Sequence, residues 1–136
     1  MANISVTTAD RIEVVGFPSS QLTCPAAEAI SAGAPVRLDT STGKFTNSNG
    51  TTAAEARIWG IATRMVAAGE ALTAVRRGFL AGFTFTQAYD AAIYVSDTDG
   101  RLADAAGTVS TVVGRVVSGW SQLLGAAADK LLSVEL

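Results

Sequence analysis

Asp97 and Asp99 form the one close pair of carboxylates in the 136-residue sequence. Paired carboxylates can carry out acid and base catalysis, and alternating aspartates resemble the start of an EF-hand calcium loop. Counted from Asp97, the twelfth position of such a loop, which needs a bidentate glutamate, is Thr108. The segment reads Ser-Asp-Thr-Asp-Gly, a composition typical of a tight turn. We interpret it as a turn, with a weak surface ion as the alternative.

The other residue types needed for catalysis or metal binding are scarce. The sequence holds no histidine and one cysteine, Cys24, so an internal disulfide and a cysteine-based metal site are excluded. We interpret Cys24 as a small apolar filler, with a reactive thiol or an inter-subunit bridge as alternatives. The glycines form neither GxxxxGK[ST] nor a strand-linked GxGxxG. We expect no catalytic residues, no cofactor and no metal, and hence a protein that is not an enzyme.

Two adjacent arginines, Arg76 and Arg77, lie on a predicted strand. Neighbouring side chains on a strand point to opposite faces, so the two cannot form one cationic patch by themselves. One interpretation is that both are solvated or lie at a rim, and the other is that one binds a partner's carboxylate. Trp120 and Trp59 are candidates for core residues or interface anchors, and for Trp59 we favour the core.

Composition indicates a single folded domain. Hydrophobic residues make up 49% of the sequence and charged residues 16%, which is too apolar for a disordered chain. The formal net charge is −2, with both signs interspersed, so we expect neither a nucleic-acid nor a membrane partner. No signal peptide or membrane span is recognisable, and we expect the chain to be made and used in soluble form.

The hydrophobic pattern predicts a mainly β fold of short antiparallel strands and hairpins. Val36 and Leu38 alternate with polar residues before a turn, and Ile93 and Val95 do the same 57 positions later. Similar segments follow both hairpins, around Gly60 and Gly114 and at EALTAV and DKLLSV. We therefore predict two related units at about 34–75 and 91–134, the alternative being two unrelated hairpins with common turn chemistry.

The elements fit one compact β barrel or sandwich over residues 16–136, preceded by an N-terminal arm or first strand over residues 1–15. One or two short helical turns are expected, with candidates at PAAEA from Pro25, at TTAAEA from Thr51 and in the segment from Ser121. Thr52 and Glu55 have the spacing of a capping box.

The order of motifs resembles the capsid decoration, or cement, proteins of tailed phages. The motifs are AISAGAPVRLD, TGK, IWGIATRMVAAGEALTAVRRGFL, AAIYVSDTDGRL, VVGRVV and a terminal DKLLSVEL, which together span roughly residues 25–136. The resemblance implies a β protein that is not an enzyme and that sits on the outer capsid surface, often as a homotrimer, and stiffens the lattice. Its partner would be the major capsid protein, and it would be made in the host cytoplasm and located in the virion.

In that setting, the candidate residues for a capsid or subunit interface are Ile4, Val6, Arg76, Arg77 and Trp120. Ile4 and Val6 belong to a polar N-terminal segment that could order on the capsid by strand addition, or could be a frayed tail. A tail or baseplate subunit and a carbohydrate-binding or receptor-binding β module are the alternative functions. The former should form rings larger than trimers, and the latter needs exposed aromatic residues.

Overall fold

The computed structural model describes residues 2–7, 11–119 and 130–136, with the side chains of residues 16–18 left aside. Its elements are the strands β1 (Ser5–Val6), β2 (Glu13–Pro25), β3 (Pro35–Leu38), β4 (Phe45–Asn47), β5 (Gly60–Ala62), β6 (Ala71–Ala81), β7 (Phe83–Thr84), β8 (Ala92–Val95), β9 (Leu102–Ala103), β10 (Val112–Ser118) and β11 (Lys130–Glu135). The predicted mainly β fold is confirmed.

Of the predicted helical turns, the described residues contain the one that begins at Thr52. The N–H of Ala56 donates to the carbonyl of Thr52 at 2.9 Å, and the N–H of Glu55 donates to the Thr52 hydroxyl at 3.2 Å. This is the capping interaction expected from the Thr52/Glu55 spacing. At PAAEA the chain leaves β2 without forming a helix, and most of the segment from Ser121 lies outside the described residues.

The long strand β6 organises the main sheet, which is antiparallel, has nine strands and curls into a half-barrel. Val75 pairs with Ile61 of β5 on one edge and with Gln21 of β2 on the other. Further along β6, Arg77 pairs with Glu135 of β11 on the edge opposite β2. The resulting order is β4-β3-β5-β6-β11-β10-β8-β9, with β2 alone along the other edge of β6.

The segments on either side of β6 have the same strand order. In the first, β4, β3 and β5 lead to β6, and in the second, β9, β8 and β10 lead to β11. Val36 pairs with Gly60 in the first, as Ile93 pairs with Gly114 in the second. The pairing shows that the two segments share one strand order. Their relation by sequence stays a prediction.

Two apolar clusters form the core. The larger contains buried residues from the strands β5 to β11 and from the segments next to them: Ile4, Ile12, Ala32, Ile61, Val75, Leu80, Phe83, Phe85, Ile93, Val95, Leu102, Val113, Val116, Leu132 and Val134. The smaller comprises Ala26, Ile30, Ala34, Val36, Phe45, Ala62, Val66, Leu72 and Ala74. Gly114 is required where β10 meets β11, because a Cβ there would lie 1.9 Å from the carbonyl oxygen of Ser133.

The N-terminal segment, residues 2–7, is docked on the domain. Ile4 donates its N–H to the carbonyl of Leu102 at 2.9 Å, and its side chain is 3% exposed within the larger core. β1 pairs with β7, and the N–H of Thr7 donates to the carbonyl of Gly82. The segment therefore covers the outer edge of β9, and at the other end of the sheet the N–H of Ala27 donates to Phe45 of β4.

Candidate functional site: an arginine-lined groove

Three arginines from distant parts of the sequence, Arg37, Arg57 and Arg76, line one groove of about 420 Å³. We call this the arginine groove. The remaining lining residues are Leu38, Thr40, Ala54, Ile58 and Trp59. Arg37 and Arg76 are half-buried and Arg57 is exposed, so the groove presents cationic side chains over an apolar floor.

The three adjacent strands β3, β5 and β6 position these side chains. Arg37 follows the buried Val36 in β3, and the carbonyl of Val36 accepts the backbone N–H of Trp59 at 2.8 Å. Trp59 directly precedes β5 and is held beside β3 by this bond. Arg76 lies in the middle of β6. Arg57 lies outside the strands, directly after the helical turn in which the N–H of Ala56 donates to the carbonyl of Thr52.

Arg76 is held by an aromatic ring. Its guanidinium carbon lies 5.6 Å from the centroid of the Trp59 ring, within the range of a cation–π interaction, which is worth about 0.5–1 kcal/mol at an exposed site. Trp59 in turn packs against Phe45, with ring centroids 6.0 Å apart, and Phe45 is fully buried. Arg76 is therefore oriented before any partner arrives, which lowers the entropy lost on binding.

Arg37 carries an unsatisfied donor. Its Nε is buried and has no hydrogen-bond partner among the described residues. The two carboxylates that feel the charge of Arg37 are engaged elsewhere: Glu28 accepts from the Thr46 hydroxyl and Asp39 accepts from the Ser41 N–H. An unsatisfied buried donor is costly, and this Nε has almost no accessible surface, so a ligand in the groove does not reach it without a rearrangement of the side chain.

The pKa values of these two carboxyl groups are both lowered. Burial raises the pKa of Glu28, but hydrogen bonds from Thr46 and Asn47, with a smaller effect of Arg37, outweigh it and lower the pKa overall. Hydrogen bonds from the Ser41 and Thr42 N–H groups lower the pKa of Asp39. Glu28 is thereby bonded to β4, and Asp39 to its own turn.

The arginine groove has side chains suited to binding anions. Within residues 2–7, 11–119 and 130–136, the ion pairs are Arg11–Glu13 and Arg115–Asp90, and neither involves Arg37, Arg57 or Arg76. Guanidinium groups form planar, bidentate hydrogen bonds with carboxylates and phosphates. Three unpaired guanidiniums around one groove therefore suit a ligand that carries more than one carboxylate or similar oxyanion.

The predicted site residues lie in different places. Ile4 is in the core and Val6 is half-buried, so neither presents a free side chain to a partner while residues 2–7 remain docked. Arg76 lies in the arginine groove, whereas the exposed Arg77 lines a separate groove and donates from Nε to the carbonyl of Leu136 at 3.1 Å. Trp120 lies outside the described residues.

Sequence reasoning missed Arg37 and Arg57 as partners of Arg76. Arg37 was visible as the polar residue between Val36 and Leu38, but a polar residue at that position normally faces solvent alone. Only the placement of β5 between β3 and β6 brings the three arginines together. A cluster of arginines separated by about 20 residues has no local sequence signature.

The segment around Asp97 and Asp99 is a turn, as predicted. Asp97 accepts hydrogen bonds from the N–H and the hydroxyl of Thr108, both at 2.9 Å, and Asp99 accepts from the Asn49 amide at 3.0 Å. The two carboxylates therefore tie together loops that are distant in sequence.

Comparison with known proteins gives no relative: no family model matches the chain, and no curated protein or solved structure matches it. In the described part of the chain, no helix is long and apolar enough to cross a bilayer. The same residues contain no group of three or more histidine, cysteine, aspartate or glutamate side chains placed to hold a metal ion.

Proposed function

We propose that this chain is a structural virion protein that binds the outer surface of a tailed-phage capsid and stabilises the capsomer lattice. Its partner is the major capsid protein, whose carboxylates dock into the arginine groove. The order of motifs that resembles capsid decoration proteins supports the setting. The proposed docking surface rests on the arginine groove, where Arg37, Arg57 and Arg76 form no ion pair within the described residues, although Arg37 lies near Glu28 and Asp39.

The physics of such a contact suits a small protein. A hydrogen bond to a charged group contributes about 1.5–3 kcal/mol, so two or three arginine–carboxylate contacts give a modest affinity for each copy. Binding as a homotrimer, or at many equivalent positions of one shell, raises the effective concentration and converts modest contacts into stable attachment. Arg76 contributes specificity as well, because its stacking on Trp59 fixes the direction of its fork.

The way the domain covers the edges of its sheet supports a role in resisting mechanical force. Residues 2–7 cover the edge of β9, and the start of the 26–34 segment covers β4, so pulling on either end of the sheet must first break backbone hydrogen bonds. A decoration protein that holds a capsid together against internal pressure must itself resist unfolding under force, and covered sheet edges favour this.

The test is co-sedimentation of the purified chain with expanded shells of its own phage. We compare the wild type with a triple variant, Arg37→Gln, Arg57→Gln and Arg76→Gln, which keeps hydrogen-bonding capacity but removes three charges. Arg77→Gln is the matched control, since Arg77 is adjacent to Arg76 and lines a different groove. We expect the triple variant to lose binding and the control to bind like the wild type.

Ionic strength and a competing ligand provide two further tests of binding through the arginine groove. Binding through the arginine groove should weaken as the ionic strength rises, and a soluble acidic peptide should compete. A wild-type chain that binds no expanded shell of its phage would refute the capsid assignment. Preferential binding to an acidic glycan or to single-stranded nucleic acid would assign the arginine groove to those ligands instead.

A further inference from the structure

The connection between β4 and the helical turn at Thr52 contains the one Asn-Gly pair of the sequence, Asn49–Gly50. We call residues 48–51 the Asn49 loop. Asparagine followed by glycine is the pair most prone to deamidation, because glycine has no side chain to keep its backbone nitrogen away from the neighbouring amide. Whether that nitrogen can reach the amide depends on the structure of the Asn49 loop.

The side chain of Asn49 is held at both of its polar atoms. Its Nδ2 donates to Oδ1 of Asp99 at 3.0 Å, and its Oδ1 accepts from the N–H and the hydroxyl of Thr51 at 3.1 and 2.6 Å. Asp99 lies in a turn 50 residues further along the chain. The amide carbon Cγ of Asn49 is therefore fixed between two separate parts of the fold.

The backbone nitrogen that would attack this carbon is also engaged. The N–H of Gly50 donates to the carbonyl of Ser96 at 2.8 Å. Gly50 is buried, and a Cβ built on it would lie 3.0 Å from Oδ1 of Asp97 and 3.1 Å from the carbonyl of Val95. Turning this nitrogen towards the Asn49 side chain would break a buried hydrogen bond in a site with little free space, so the closed Asn49 loop disfavours the reaction.

We propose that Asn49 is a deamidation site that the closed Asn49 loop protects, so that it reacts when the loop opens and the product then weakens reclosure. In the open loop, the nitrogen of Gly50 attacks Cγ of Asn49. The bond from Cγ to Nδ2 breaks, the proton of the Gly50 N–H passes to the departing nitrogen, and ammonia leaves. Water then opens the succinimide ring to give aspartate or isoaspartate. The net reaction consumes one water molecule for each ammonia released.

The product cannot restore the bond to Asp99. A carboxylate at position 49 has no N–H to donate, and an oxygen in the place of Nδ2 would lie 3.0 Å from Oδ1 of Asp99. Two like charges at this spacing repel each other. The bonds from Thr51 need only an acceptor and can persist. Deamidation should therefore release the Asn49 loop from the turn that contains Asp99 and leave its local bonds intact.

The first test compares the deamidation rate of the folded chain with that in urea at mildly alkaline pH. Trypsin releases residues 45–57 as one peptide, and tandem mass spectrometry distinguishes conversion at Asn49 from conversion at Asn47, the internal reference, which precedes a serine. Because the reaction requires opening, Asn49 should react about tenfold or more slowly in the folded chain than in urea.

Substitution of the acceptor should remove part of this protection. Asp99→Ala should accelerate conversion at Asn49 in the folded chain, because it deletes the acceptor that holds Nδ2. Asp90→Ala is the matched control, since it removes a carboxylate that bonds Arg115 instead, and it should leave the rate unchanged.

The second test introduces the product directly and holds even if Asp99→Ala fails to fold. Asn49→Asp should lower the Tm of the isolated chain. The double variant Asn49→Asp with Asp99→Asn exchanges donor and acceptor, so an amide at position 99 can donate to the carboxylate at position 49, and most of the lost Tm should return. Such recovery requires that the two side chains meet as they do in the structure.

Equal rates at Asn49 in the folded chain and in urea would overturn the proposal, as would an Asn49 that stays intact in urea. So would a folded Asp99→Ala chain that reacts no faster than the wild type, an Asn49→Asp chain as stable as the wild type, or a double variant without recovery. These measurements use the isolated chain without shells, so they are independent of the capsid assignment.

Discussion

The substitution Ile4→Ala tests whether residues 2–7 are part of the folded domain or an arm that acts on a partner. Ile4 is 3% exposed, belongs to the larger core and bonds through its backbone to Leu102. A side chain that closes the core should stabilise the isolated protein. A side chain that instead contacts a partner should affect binding to that partner and leave the stability of the isolated protein unchanged.

The expected magnitude follows from the carbon atoms removed. Truncation of isoleucine to alanine deletes three buried carbons at about 0.8 kcal/mol each, or about 2.4 kcal/mol, and a residual cavity adds to this. We therefore expect a loss of about 3 kcal/mol in the free energy of unfolding. With an unfolding entropy of about 2.1 cal/mol/K per residue, a chain of 136 residues should lose roughly 10 °C in Tm.

Thermal and urea unfolding of the purified chain measure the effect. Ser5→Ala is the matched control, because Ser5 is exposed in the same short strand and its replacement should change stability by no more than about 0.5 kcal/mol. If Ile4→Ala unfolds like the wild type but no longer binds shells, the segment acts as an arm and our placement of Ile4 in the core is refuted.

Three further outcomes are expected. Gly114→Ala should destabilise the protein by about 3 kcal/mol in urea unfolding, because its Cβ cannot fit beside the Ser133 carbonyl. A hydrogen bond from the Ala2 N–H lowers the pKa of Asp104, so the stabilisation it provides is present at neutral pH and is lost as the pH falls through the folded-state pKa. After correction for the intrinsic slowing of amide exchange in acid, the protection of residues 2–7 should therefore fall as the pH is lowered, and Asp104→Asn should remove that pH dependence. Burial raises the pKa of Cys24, so iodoacetamide should alkylate it more slowly in the folded chain than in urea.

The local part of the fold could be predicted from the sequence. Alternation at Val36 and Leu38 correctly predicts the strand β3, although Leu38 is only half-buried, as is Arg37 between them. The turn at Asp97 contains a bond from the Thr98 N–H to the Ser96 hydroxyl at 3.0 Å, and the cap between Thr52 and Glu55 likewise joins a side chain to a nearby backbone group. Interactions between residues close together in the sequence determine these features.

The order of strands across the sheet could not be predicted in this way. Arg37, Arg57 and Arg76 share one groove because β5 lies between β3 and β6, a pairing between residues far apart in the chain. The burial of Ile4 depends in the same way on an edge of β9 about 100 residues further on.

The sequence by itself determined that this chain forms short strands joined by polar turns, since those preferences act between neighbours. The tertiary structure decided which edges are covered and which side chains meet. It covered the outer edges of β4 and β9 and gathered three arginines in one groove. Such outcomes depend on long-range pairing, where the hydrogen bonds and buried area of the whole sheet decide between arrangements that are locally equivalent.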